Sequence, residues 1–214
     1  MIKLLQFQFN PIQVNTYIVY DETNECVIID AGCSNVNENE ILRKAIAERN
    51  LIPTKLLCTH GHFDHIMGNA FVCETYKIET CAHKNDLDNF EQATSHGVFF
   101  GVDVMQPPTP QCFLNDGDEI KFGNSCLKVI FTPGHTSGGI CLYSEVNELL
   151  FSGDTLFAGS IGRTDLPGGN YDVLMNSIEK LMLLPESTNV FCGHGPKTTI
   201  GYEKTTNPFI LEKL

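Results

Sequence analysis

The stretch KLLCTHGHFDHIMG, residues 55–68, sets three histidines and an aspartate (His60, His62, Asp64 and His65) within six positions directly behind a short apolar run. This spacing excludes a helix-borne zinc pair, which needs ligands at i and i+4 on one face, as in H-E-x-x-H. His60 and His62 stand two apart, so an extended or tightly turning segment points them the same way, whereas the neighbours Asp64 and His65 are expected to point in different directions. One loop can thereby serve two metal ions.

Three further apolar runs end in the same manner. VIFTPGH at 129–135 delivers His135, LLFSGD at 149–154 delivers Asp154, and VFCGHG at 190–195 delivers His194. Each hands over a His or Asp through a small, turn-forming residue just past a strand. Open α/β sheets bind ligands beyond strand ends, because loops converge there while the strands hold them rigidly. Taken alone, His135 or His194 reads as a capping or core histidine; four such strand ends in one chain favour a shared crest. Five histidines and two aspartates exceed what one tetrahedral ion needs, so the expected cofactor is a pair of divalent transition metal ions. Imidazole with carboxylate, and no cysteine in the set, suits zinc first, with iron or manganese as alternatives. His83 and His96 read as surface or loop residues.

Around these runs the chain reads as short strands at Leu4–Phe9, Thr16–Tyr20 and Cys26–Ile29, a helix over Glu38–Asn50 with Pro53 as its stop signal, and a strand at Leu56–Cys58. A helix at Asn69–Tyr76, a strand at Ile78–Ala82 and a helix at Asn85–Gln92 follow, then an irregular loop or lid over 93–111. Strands recur at Glu119–Phe122, Leu127–Phe131, Ile140–Tyr143, Leu149–Phe151 and Val190–Cys192. A Gly-rich loop, Ser160–Asn170, leads into a helix near Asp172–Leu183, and a short helix lies near Ile200–Thr205. Two sheets with helices outside them is the economical packing.

The 214 residues fit one domain. A formal charge of −12 disfavours a nucleic-acid groove, which depends on lysines and arginines to replace phosphate counterions. No apolar run approaches a membrane span and the N-terminus has no signal-peptide pattern. The nine cysteines are odd in number and form no C-x-x-C pair, so they read as buried thiols in a reducing cytosol. Cys58 and Cys192, each two residues before a site histidine, read as strand-end core. The expectation is a cytoplasmic, soluble protein that acts on a small molecule.

The order THGHFDH, PGHTSGG, SGD and GHGP resembles the metallo-β-lactamase superfamily over nearly the whole chain. LNDGDEI at 114–120, GSIGRTDLPGG at 159–169 and GYEKTTNPFI at 201–210 are similar to single-domain bacterial relatives of glyoxalase II, the hydroxyacylglutathione hydrolase. The resemblance implies an α/β fold in four layers, an αβ/βα sandwich. It places His60, His62 and His135 on a first metal, Asp64, His65 and His194 on a second, and Asp154 between the two. It further implies hydrolysis of a thioester such as an S-2-hydroxyacyl glutathione by hydroxide raised on the metals, with Asp64 orienting the nucleophile. Lactamases with a cysteine ligand are disfavoured, because Asp154 follows FSG where they place the thiolate; diiron flavoprotein relatives are disfavoured because His62 stands where they carry glutamate. A counterpart of the C-terminal helical domain that binds glutathione in full-length glyoxalase II is not expected here. GRTD also occurs in persulfide dioxygenases of the superfamily, so a mononuclear iron oxygenase is the alternative activity and a non-catalytic metal-binding protein the third. Arg163 and Asp165 read as an ion pair fixing the Gly-rich loop.

Overall fold

Alternation along the strands decides the layering. The computed structural model describes residues 1–212. Its first sheet runs in chain order through β1 (Lys3–Phe9), β2 (Val14–Tyr20), β3 (Glu25–Ile29), β4 (Ile52–Leu57), β5 (Thr80–Ala82) and β6 (Cys112–Phe113). The first three strands pair antiparallel, and the next three add in parallel. Tyr17, Val19, Val27, Ile29 and Leu57 point inward to one apolar cluster, while their neighbours Ile18, Cys26, Ile28 and Leu56 point outward to another. This period of two is what gives a sheet two buried faces. Five helices are interleaved: α1 (Val36–Glu48), α2 (Phe63–Ile66), α3 (Asn69–Tyr76), α4 (Leu87–Glu91) and α5 (Ala93–Phe99). The side chain of Asn35 caps α1 by accepting from Glu38 N–H at 3.1 Å. Leu42 and Ile46 of α1 and Val72 of α3 cover the outer face of the first sheet.

The second sheet contains β7 (Glu119–Phe122), β8 (Ser125–Phe131), β9 (Ile140–Ser144) and β10 (Leu149–Gly153), followed, after the β11 (Leu156–Phe157) and β12 (Ser160–Ile161) hairpin and α6 (Tyr171–Leu181), by β13 (Asn189–Cys192) and β14 (Thr198–Thr199). Its order is β14-β13-β10-β9-β8-β7, with β10 and β13 parallel. Leu127, Val129, Leu142, Phe151 and Phe191 meet the inward residues of the first sheet. Leu174, Ile178 and Leu181 of α6 cover the opposite face, together with Ile200 of α7 (Ile200–Thr206) and Ile210 of α8 (Pro208–Leu211). The four layers of an αβ/βα sandwich are therefore present.

Several boundaries differ from the sequence expectation. Pro53, read as a stop signal, lies inside β4, where the register against β3 shifts; a bulge absorbs the missing donor. Residues 93–111, expected to be irregular, begin with α5, although ATSHGVF is a poor helix former. Tertiary contacts hold that helix. Ala93 is buried against Val104, Phe100 stacks on Phe63 at 5.6 Å, and a Cβ at Gly97 would collide with the Val104 side chain. The short strands β6, β11, β12 and β14 carry too few residues to show a period.

Candidate metal centre

Parallel strands bring the site together. β3 and β4 in one sheet, and β10 and β13 in the other, all point their C-terminal ends to the same crest. An isolated bridge between Val14 and His194 and a bond from Asn15 N–H to Gly193 O at 2.7 Å tie the two sheets there. The loop after β4 supplies His60 and His62, and α2 carries Asp64 and His65. His135 follows β8, Asp154 follows β10, and His194 follows β13. All seven residues singled out in the sequence meet at this crest.

They form two groups. The ligand atoms of His60, His62 and His135 lie within 4.8 Å of one another, and so do those of Asp64, His65 and His194. Asp154 sits between them: its Oδ2 is 3.6 Å from His135 Nε2 and its Oδ1 is 3.4 Å from His65 Nε2. Asp64 and His65 were expected to diverge. They converge instead on His194, at 3.2 Å from Asp64 Oδ2 and 3.2 Å from His65 Nε2, because a helical turn sets successive residues about 100° apart, not 180°.

Hydrogen bonds at the far side of each ring fix where the lone pairs point. His135 Nδ1 donates to Arg163 O at 2.8 Å and His194 Nδ1 donates to Gln13 O at 3.3 Å. His65 Nδ1 donates to Asp30 Oδ2 at 2.9 Å. Thr59 Oγ donates to Asp30 Oδ2 at 2.6 Å and is left to accept from His60 Nδ1 at 3.1 Å. In all four rings Nε2 is thus the atom with a free lone pair, and all four face the centre. His60 Nε2 and His135 Nε2 approach His62 Nδ1 at 3.1 and 2.9 Å. Neutral His65 and His194 turn two lone pairs on each other, which only a cation between them, a proton or a metal ion, makes favourable. Asp154 Oδ1 is buried with no hydrogen-bond partner among the described residues, a costly state unless a cation satisfies it. The donor set therefore fits divalent metal ions.

The titration behaviour follows from the same geometry. Burial, together with the charge on its histidine neighbours, lowers His60 well below the ordinary value, and burial beside His135 lowers His62 to about 3. Both rings are held neutral, as ligands must be. Burial opposes charge on His65, yet Asp154, Asp64 and Asp30 outweigh it and raise its pKa well above the ordinary value. Burial would raise Asp154, but His65 holds it well below the ordinary carboxylate range. The centre demands positive charge.

Supporting residues were missed in the sequence. Asp30 accepts from Thr59 N–H at 2.7 Å as well as from Thr59 Oγ and His65, so both its oxygens are occupied and its proximity to His60 and His65 does not make it a ligand. Its signal was present: VIID ends an apolar run in an aspartate, much as LLFSGD does. Asp86 accepts from Gly61 N–H at 2.8 Å, Gly138 N–H at 2.6 Å and Thr136 Oγ at 2.8 Å, clamping the loops of His62 and His135 together. Nothing local in the sequence announces that role. Gly193 is required by close approach, since a Cβ there would strike Asp154 Oδ1 and the His65 ring. His83, expected at the surface or in a loop, is buried and stacks on Phe131 at 4.3 Å, while His96 lines the cavity above the centre. Cys58 and Cys192 are buried free thiols, and Arg163 pairs with Asp165 at 2.7 Å at an exposed position.

Fold and site together define a sandwich of two sheets with a histidine and aspartate centre built to hold divalent metal on its crest. The chain belongs to the metallo-β-lactamase superfamily: residues 9–194 match the profile described as "Metallo-beta-lactamase superfamily". Among curated relatives it is 38% identical over 212 residues to "Probable metallo-hydrolase YqgX" of Bacillus subtilis, covering 98% of both chains. It is 34% identical over 204 residues to "Hydroxyacylglutathione hydrolase GloC" of Haemophilus influenzae, covering 94% of both. Among solved structures it is similar to the BLEG-1 B3 metallo-β-lactamase (TM-score 0.89, 36% identity, 97% of this chain and 99% of that one). A second is TTHA1623 in a di-iron-bound form (TM-score 0.88, 36% identity, 96% and 99%). The enzyme family is that of metallo-hydrolases, and no helix among the described residues is long and apolar enough to cross a membrane.

Proposed function

We propose that the chain is a binuclear metal-dependent thioesterase. His60, His62 and His135 would hold one ion, Asp64, His65 and His194 the other, and Asp154 would touch both. The opposed lone pairs at the floor of an open cavity carry this reading; the identity shared with a protein named hydroxyacylglutathione hydrolase supports the thioester, and a di-iron neighbour supports two ions. Divalent metal held by these residues would lower the pKa of water towards neutrality and offset negative charge on a carbonyl oxygen.

The chain's own residues supply the rest. Asp64, 94% buried and open to the cavity, is placed to accept a hydrogen bond from the attacking water and orient its oxygen towards the substrate carbonyl. The water oxygen adds to the carbonyl carbon, the C–S bond breaks with its electron pair on sulfur, and carboxylate and thiolate leave; of the water's two protons one is taken up by the thiolate and the other passes to solvent. A thiolate departs without prior protonation, so the reaction asks no general acid of the cavity wall. Asp30 keeps the His65 ring aimed, and Asp86 holds the loops of His62 and His135 together.

Zinc- and iron-loaded protein should release thiol from S-lactoylglutathione and from simpler acyl thioesters, and a chelator should abolish the release. Oxygen consumption with a persulfide, or ring opening of a β-lactam, with no thioester cleavage under the same conditions, would overturn the proposal.

A further inference from the structure

The cavity above the centre has about 750 Å³ of space, and its walls differ sharply from its floor. The floor is His62, Asp64, His135, Asp154 and His194. The walls carry Ile12, Phe63, Phe99, Phe100, Leu166 and Pro167, with polar side chains among them. Arg163 is the one Lys or Arg among the residues lining it, and that guanidinium is engaged through both Nε and Nη2 with Asp165 at 2.7 Å. Glutathione carries two carboxylates and an ammonium group; the other polar wall residues, Asn89, Gln92, Ser95 and His96, add hydrogen-bonding groups but no further lysine, arginine or carboxylate to pair with them.

The rim carries a second, independent sign. Phe99 is 82% exposed and Phe100 46% exposed, at the end of a helix that its own sequence does not favour. That helix is kept in place by the stack of Phe100 on Phe63, by Gly97 fitting under Val104, and by Thr94 Oγ donating to Val104 O at 3.2 Å. Tertiary contacts thus hold two phenyl rings at the mouth of a metal site, packed on each other and on Phe63 but with much of their surface left to water. Each methylene moved from water onto such a wall strengthens binding by about threefold to fourfold.

We infer that the substrate carries an extended apolar group, a medium-length alkyl chain or an aromatic ring, directly beside the scissile bond, and that the pocket bounded by Phe63, Phe99, Phe100 and Leu166 selects it. The inference deepens the thioesterase reading and rests on it for the bond that is cut, but not for the group that is bound. The acyl side and the thiol side of a thioester both present that chemistry, and the test separates them.

Two measurements decide the matter on zinc-loaded protein. In the first, kcat/KM is determined for acetyl, butanoyl and octanoyl thioesters of N-acetylcysteamine, for acetyl thioesters of butanethiol and octanethiol, and for S-lactoylglutathione. We expect a rise of at least tenfold from short to long on one side of the bond, falling to less than threefold in Phe99→Ser and Phe100→Ala. In the second, calorimetry follows binding of a thioether that cannot be hydrolysed, S-octyl-N-acetylcysteamine, which should bind the wild type at least tenfold more tightly than either variant. Thioesters cleaved with no length dependence on either side, or S-lactoylglutathione preferred to the octanoyl thioester by more than about a hundredfold, would overturn the inference and leave the thioesterase intact. Octyl thioether binding that depends on Phe99 and Phe100, with no thioester cleaved, would uphold the pocket and remove the thioesterase.

Discussion

The two ends of the sandwich treat buried carboxylates in opposite ways. At the end away from the centre, Asp21 of the β2–β3 turn is fully engaged. Its Oδ1 accepts from Thr23 N–H and Thr23 Oγ at 2.9 and 2.6 Å, and its Oδ2 accepts from Asn124 N–H and Ser125 Oγ of the β7–β8 turn at 2.7 and 2.8 Å. At the crest, Asp154 has one buried oxygen without a hydrogen-bond partner and stands among imidazole lone pairs turned towards each other. A satisfied network stabilises the fold, whereas an unsatisfied one of this density is unfavourable until a ligand completes it. The contrast separates clasp from site without reference to any relative.

The largest effect should come from breaking the crest at its shared carboxylate. Asp154→Ala should lower the content of both metal ions together and reduce kcat/KM by on the order of 10³-fold. In wild type a chelator should lower the melting temperature, because bound metal stabilises only the folded state, and this response should nearly vanish in the variant. His194→Ala is the control, since it should empty mainly one position. Elemental analysis that finds equal and complete loss in both variants would show that Asp154 has no joint role.

A smaller effect is expected one layer out, at Asp86. The Asn replacement keeps one acceptor and loses the other, so Gly138 N–H or Gly61 N–H is left unpaired and one of the two histidine loops is released. Metal affinity should fall about 10- to 100-fold, as is usual for groups that orient ligands. Competition with a chromophoric chelator measures it. An unchanged affinity would mean that the loops are held by their strands alone.

These supports explain what could be read from the chain and what could not. The seven crest residues were legible because each sits directly behind an apolar run, so local patterning reports both the strand and the group that ends it. Asp86 was not, because its partners Gly61 and Gly138 lie 25 and 52 residues away and no local period encodes a contact of that range. The α5 helix was hidden for the same reason: Gly97, Thr94 and Ser95 argue against a helix, and contacts with residues such as Val104 and Phe63 overrule them. The longer strands were legible as apolar runs bounded by turn residues, whereas two-residue strands such as β6 are defined by their partners.

The smallest effect should appear at the opposite end, where Asp21→Asn tests the clasp. Burial would raise the Asp21 pKa, but the hydrogen bonds from Thr23, Ser125 and Asn124 outweigh it and lower it from 3.8 to about 2. A carboxyl group whose pKa is depressed on folding stabilises the protein above its unfolded value and loses that contribution as pH falls through its folded value. The stabilisation is therefore complete above about pH 4 and fades towards pH 2. The full shift would correspond to roughly 2 kcal/mol, and solvent screening at these surface turns reduces it to about 1 kcal/mol. At pH 7 the variant should melt roughly 2–4 °C lower than wild type. Urea titrations between pH 3 and 7 should show that gap narrowing as the solution is acidified, with metal content and kcat/KM at pH 7 unchanged. A gap independent of pH would assign the loss to the geometry of the amide instead of the missing charge. A fall in metal content would show that the two ends are coupled through the strands that join them.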